Sequence, residues 1–199
     1  MRIFVALAIV LLAGAFAPVA LADDAVPAEP GKNSAVVETH AQRLDRLFAE
    51  LKRERNDKIA THISQRIWQE WSQSGSASVD LMMGWAQKAV DEKKFDVALD
   101  FLDQVVTLDP TYAEGWNRRA TVHYLMKNYG KSMADIDRTL QLEPRHFGAL
   151  SGLAQIMMDT DRKEAALRAW QRVLDIYPML RNAQDQVSTI SEELAGESI

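Results

Sequence analysis

Four histidines and a scatter of serines and carboxylates, with no cysteine, are what this 199-residue chain offers for chemistry. A metal site built on histidine needs ligands at helical spacing or a Cys-x-x-Cys partner. His40, His62, His123 and His146 stand far apart, and none pairs with another. There is no Gly-x-Ser-x-Gly nucleophile elbow and no glycine-rich phosphate loop. These absences point away from an enzyme and predict neither cofactor nor metal. His146 follows Pro144 in a turn and is expected to be solvated, while His123 falls in a packing register and is expected to be half-buried. The charge that asks for a partner is Arg119, which stands where apolar residues are usual. A cation there must be paired or reach water, and Asp135 and Asp137 on the following helix are the expected carboxylates of a structural ion pair.

The elements that must position these groups are announced by three prolines. Pro110, Pro144 and Pro178 fall on a 34-residue beat, each closing an apolar run: Leu108-Asp109, Leu142-Glu143 and Ile176-Tyr177. A fixed period of this length, with helical patterning between beats, is the mark of a helix-turn-helix solenoid. Alignment of the units shows what repeats. The fourth position carries Met82, Trp116 and Leu150, and the seventh Trp85, Arg119 and Leu153. The eighth carries Ala86, Ala120 and Ala154, and the twentieth Ala98, Ser132 and Ala166. Steps of three and four set these residues on one helix face. Small residues let the two helices of a unit approach, and large ones fill the space around that contact. The tryptophans Trp68, Trp71, Trp85, Trp116 and Trp170 share the register, so at least four are expected in the core. No segment alternates with period two long enough to suggest a strand.

The run from Ala113-Glu114-Gly115-Trp116-Asn117-Arg118-Arg119-Ala120 through Asp135-Ile136-Asp137 to Leu142-Glu143-Pro144 resembles the tetratricopeptide repeat family. The resemblance implies an all-α, right-handed solenoid of antiparallel helix pairs. Its units would be 79–112, 113–146 and 147–180. Residues 36–76 read as a degenerate N-terminal helix pair, a 34-residue step back that puts Phe48, Leu51, Ser64, Trp68 and Trp71 in register. Solenoid ends are commonly atypical because they cap the core. Residues 181–199 supply the other cap and a tail: Leu180, Ala183, Val187, Ile190 and Leu194 recur at helical steps opposite a polar face.

The first 22 residues read as a signal peptide: Arg2, an apolar run from Ile3 to Phe16, and the small-x-small Ala20-Leu21-Ala22 before Asp23. Residues 23–35 are too polar to bury apolar surface and read as a disordered linker. An exported, periplasmic product is expected, with no stable membrane insertion after cleavage. Retention of the first segment as an anchor is the alternative. The formal charge of −5 argues against nucleic acid as a partner.

The resemblance also implies where function resides, since the first helix of each unit lines a concave groove. There it sets Met83, Gln87 and Val90, then Asn117, Thr121 and Tyr124, then Ser151, Gln155 and Met158, with Arg118 beside them. Family members that grip acidic chaperone tails use lysines at such positions, which this chain lacks. The lining suits an extended or helical peptide with apolar anchors. The expected function is a non-catalytic protein-protein adaptor or assembly factor of the cell envelope. The alternatives are a self-associating module whose groove holds its own N-terminal segment or another copy, and an accessory subunit of an envelope enzyme.

Overall fold

The computed structural model describes residues 38–196; the expected signal peptide and linker lie outside the described residues. Within them the chain is all helix: α1 (His40–Arg53), α2 (Asp57–Trp71), α3 (Ala77–Asp91), α4 (Phe95–Leu108), α5 (Ala113–Leu125), α6 (Tyr129–Leu142), α7 (Phe147–Asp159), α8 (Lys163–Ile176) and α9 (Arg181–Gly196). The pairs α3–α4, α5–α6 and α7–α8 are the three repeats, and each packs on the next in chain order.

Two kinds of punctuation recur with the period. Asp109, Glu143 and Tyr177 leave their helices with φ of −132°, −135° and −126°. A following proline disfavours the helical region for the residue before it, so these helices end where the prolines require. Inside each repeat, Lys93, Lys127 and Asp161 adopt φ of 57°, 59° and 54°. The next amide in each case reaches back five residues: Lys94 to Ala89, Asn128 to His123 and Arg162 to Met157, all at 2.8 Å. This is a left-handed helix stop built without glycine.

The small residues lie where the helices cross. Ala86, Ala120, Ala154, Ala98, Ser132 and Ala166 are all buried. Ser132 keeps its hydroxyl satisfied by donating to the Ala120 carbonyl at 2.8 Å. Arg119 grips Asp135 with two bonds, from Nε at 2.8 Å and Nη2 at 2.7 Å, and reaches Asp103 of the preceding repeat with Nη1 at 2.8 Å. Its guanidinium also lies over the Trp116 ring, 4.8 Å from the centroid. Asp137 takes no part in this pair and accepts from Gln141 instead. Asp135 is buried, and the bond to it raises the Arg119 pKa above its ordinary value despite partial burial. Arg119→Ala leaves Asp135 without its partner and should cost about 3–5 kcal/mol. Arg119→Leu, which refills the space, should cost less. Urea denaturation of both variants checks the order.

The ends of the stack differ from expectation at one side only. The cap is in place: α9 lies on α8, with Ala183 and Ile190 buried and Leu180, Val187 and Leu194 packed against the same cluster. The α1–α2 pair, however, does not stack ahead of the first repeat. It folds back along the edge formed by the turns between repeats. Asp57 pairs with Arg181, the Thr61 hydroxyl lies 3.4 Å from that of Tyr177, and Trp68 and Trp71 meet His146 and Phe147. Asp45 of α1 pairs with Arg145. The register positions were nonetheless apolar for a reason, because Phe48, Leu51 and Trp71 are buried in one cluster with α7 and α8. His146, expected to be solvated, is fully buried beneath this pair. Of the five tryptophans, at least four of which are expected in the core, Trp71 and Trp170 are buried, Trp68 and Trp116 are half-buried, and Trp85 is exposed because no helix pair among the described residues covers it.

Candidate peptide-binding face

The first helices α3, α5 and α7 present a continuous face with two hollows. One, a shallow dimple of about 40 Å³, lies between α3 and α5, lined by Met83, Ala86, Gln87, Val90, Leu102, Arg118, Thr121 and Val122. The other, about 110 Å³, lies between α5 and α7 and is lined by Asn117, Ala120, Thr121, Tyr124, Ser132, Ile136, Gly148, Ala149 and Gly152. Thr121 borders both. Glycine at 148 is required: a Cβ there would come within 2.6 Å of the Trp68 ring.

A chain of polar contacts crosses the face. Gln87 Oε1 accepts from Arg118 Nη1 at 2.6 Å, and Arg118 Nε donates to Glu114 Oε1 at 2.5 Å. The other oxygen of Glu114 accepts from Asn117 Nδ2 at 2.8 Å and lies 3.1 Å from His146 Nε2. His146 Nδ1 accepts the Ala149 amide as the N-terminal cap of α7. The bond to Nδ1 fixes the tautomer, so Nε2 carries the proton and donates to Glu114. The imidazole stacks on Trp71, centroids 4.0 Å apart and planes 6° from parallel. Glu114 is buried, and burial is the strongest influence, pushing its pKa up. The His146 and Arg118 contacts together outweigh it and hold the carboxyl below its ordinary value.

A second cluster closes the far end of the face. Tyr124 and Tyr129 each donate to Asp159 Oδ2 at 3.0 Å, and Gln155 donates to Oδ1 at 2.9 Å. The Gln155 bond, with those from the two phenols, lowers the Asp159 pKa. Burial, then the bond to Asp159, raises that of Tyr124. Gln87 likewise donates to Asp91 at 2.8 Å.

The expected groove residues therefore divide. Gln87, Arg118, Thr121, Tyr124 and Gln155 lie on the face with part of each side chain accessible. Asn117 lines a hollow but is buried, and its amide is spent on Glu114 rather than free for a ligand. Ser151 donates to the Phe147 carbonyl, and Thr121 to that of Asn117. Met83 and Val90 pack against the α3–α4 core, and Met158 joins the cluster holding α1–α2. Among the described residues no group of histidines and carboxylates could hold a metal ion, and no helix is long and apolar enough to cross a membrane.

No family profile matches the chain. A tetratricopeptide repeat-containing protein of Rhizobium etli is 48% identical over 193 residues, covering 93% of this chain and 95% of its own. The chain belongs to the tetratricopeptide repeat family. Solved tetratricopeptide domains share its fold. The first such domain of RPAP3, in complex with the HSP90 peptide SRMEEVD, superposes with a TM-score of 0.57 at 22% identity. It covers 60% of this chain and 95% of that domain. The TPR2B domain of yeast Sti1, in a complex with an Hsp70 peptide, gives 0.55 at 13% identity over 59% of this chain and 99% of its own.

Within the tetratricopeptide register, Glu114, His146 and Asp159 are the polar anchors of this face that reading by position passes over. Glu114 stands four residues before Arg118, the spacing of a helical ion pair. Asp91 and Asp159 occupy the same position two periods apart, at the ends of α3 and α7. Both signals were present in the sequence. His146 had none, because its burial depends on where α2 lies.

Proposed function

We propose that this chain is a non-catalytic adaptor or assembly factor of the cell envelope that holds a segment of another protein on the α3, α5 and α7 face. The periplasmic setting rests on the signal-like first 22 residues. The observation that carries the binding role is the pair of adjacent hollows sharing Thr121, which offer apolar floors beside hydrogen-bonding rims. Such sites take apolar anchors of an extended or helical peptide.

The charges on the face select among peptides. Arg118 is partly accessible but already bonded to Glu114 and Gln87, while Asp91 and Asp159 stand at the edge of the face, Asp159 with Lys127 near it. A neutral or basic segment fits this field better than an acidic one. The bound peptides of the RPAP3 and Sti1 domains belong to those proteins and are not the proposed ligands here.

Thr121→Arg should block both hollows from an exposed position. Affinity for a partner captured from an envelope extract should fall at least tenfold, about 1.4 kcal/mol, with melting unchanged. Isothermal titration of wild type and variant measures it. Unchanged affinity in a folded variant would place binding elsewhere.

A second reading has support from Trp68, whose ring lies against Gly148 at the border of the α5–α7 hollow. The N-terminal pair then shapes the face as well as bracing it, and the role is structural.

A further inference from the structure

Among the described residues nothing covers the leading face of the first repeat. Its register says what should lie there. One period on, Arg119 stands at the position of Trp85 and reaches back to Asp103 of the preceding repeat. Two periods on, Leu153 packs against the cluster that holds Ala120 and Ile136 of the preceding repeat. Trp85 has no preceding repeat to meet, because α1–α2 lies along the turn edge instead. It is 46% exposed, with its ring 5.4 Å from that of Phe101. Leu81, Val97 and Leu108 are 52%, 42% and 64% exposed. On α3 the stripe is Leu81, Trp85 and Lys88; on α4 it is Val97, Phe101, Gln104 and Leu108, both at helical steps of three and four. An apolar hollow of about 390 Å³ opens between them.

We propose that two copies of this chain associate through this face, α3–α4 against α3–α4, about a two-fold axis. Three observations select a second copy. The opposite end of the stack is closed by α9, whose outer side is polar. Copies therefore cannot stack head to tail into a filament, and only the bare ends can meet, which makes a closed isologous pair. The rim of the hollow holds both signs, Lys88 and Lys94 with Glu92. A surface of mixed sign complements itself across a two-fold axis, whereas a single-signed rim would repel its copy. The size also fits. Two helices of about 15 residues give a face roughly 20 Å on each side, so a pair buries about 800 Å² in all, the scale of weak, transient interfaces rather than stable ones. A reversible dimer follows, not a permanent one.

Sedimentation equilibrium of the purified full-length protein over a range of concentrations tests this. Wild type should shift from monomer to dimer as concentration rises. Trp85→Lys and Val97→Lys alter exposed side chains and should each weaken the dimer at least tenfold, with helical circular dichroism retained. The second variant guards against a folding defect in the first. A wild type that stays monomeric overturns the proposal, as it would if residues 1–37 covered the face. A dimer that survives both substitutions also overturns it, since another surface must then hold it together. The peptide-binding reading stands or falls separately with Thr121→Arg.

Discussion

Trp71→Ala should destabilise the chain by about 3–5 kcal/mol, the usual cost of deleting a buried tryptophan ring. The ring is the meeting point of the N-terminal pair and the repeats. It stacks on His146 and lies 5.1 Å from the Phe147 ring, 5.1 Å from Trp68 and 5.8 Å from Phe48. Its truncation leaves a hole among four aromatic groups that cannot all close on one methyl. The damage should also be local at first. Hydrogen exchange should quicken in α1 and α2 before α5 and α6, because each solenoid unit depends mainly on its neighbours. Trp71→Phe should cost less. A smaller ring still stacks on the imidazole, and the change removes an indole N–H that is buried without an acceptor. A Trp71→Ala protein that unfolds at wild-type urea concentration, with normal exchange in α2, would mean that the pair contributes nothing to the stability of the repeats.

That same docking marks where sequence reasoning stopped. The repeats were legible because their determinants are local: a proline after each second helix, small residues at the crossings, and large residues three and four steps away. The intra-chain ion pair of Arg119 with Asp135 was legible for the same reason, both residues lying in one repeat. The position of α1–α2 is a long-range fact. Phe48, Leu51 and Trp71 carry the apolar pattern of a stacked unit, and the pattern records only that they are buried, not against what. Their partners, His146, Phe147 and Tyr177, lie two repeats away. Two errors follow from this one cause. A turn position predicts a solvated His146 because turns are usually wet, and the packing register predicts core tryptophans without recording whether a preceding unit covers Trp85. The face itself was half legible. Register picked out Gln87, Arg118, Tyr124 and Gln155, but not that they are already bonded to Glu114, Asp91 and Asp159.

Glu114→Ala should be the most damaging single change on the face, at about 3–5 kcal/mol, because it leaves buried donors without their acceptor. Asn117, His146 and Arg118 all lose a bond to it. The carboxyl also ties stability to pH, and the sign can be worked out. Its folded pKa lies below the ordinary value of 4.5, so the unfolded chain binds the proton more tightly. Its contribution is complete above the unfolded pKa and is lost as pH falls through the lower folded value. Wild-type stability should therefore decline below about pH 4.5 more steeply than that of Glu114→Ala, in urea titrations from pH 7 to pH 3. Glu114→Gln separates this structural role from one in recognition. The amide keeps an acceptor for the buried donors, so the fold should survive at a smaller cost. It no longer neutralises Arg118, whose guanidinium is partly exposed beside the α3–α5 hollow. Affinity for a short acidic peptide should then rise at least tenfold over wild type, about 1.4 kcal/mol, and the gain should fade with added salt. A stable Glu114→Gln protein that still ignores acidic peptides would show that Asp91 and Asp159, not the masking of Arg118, set the preference of the face.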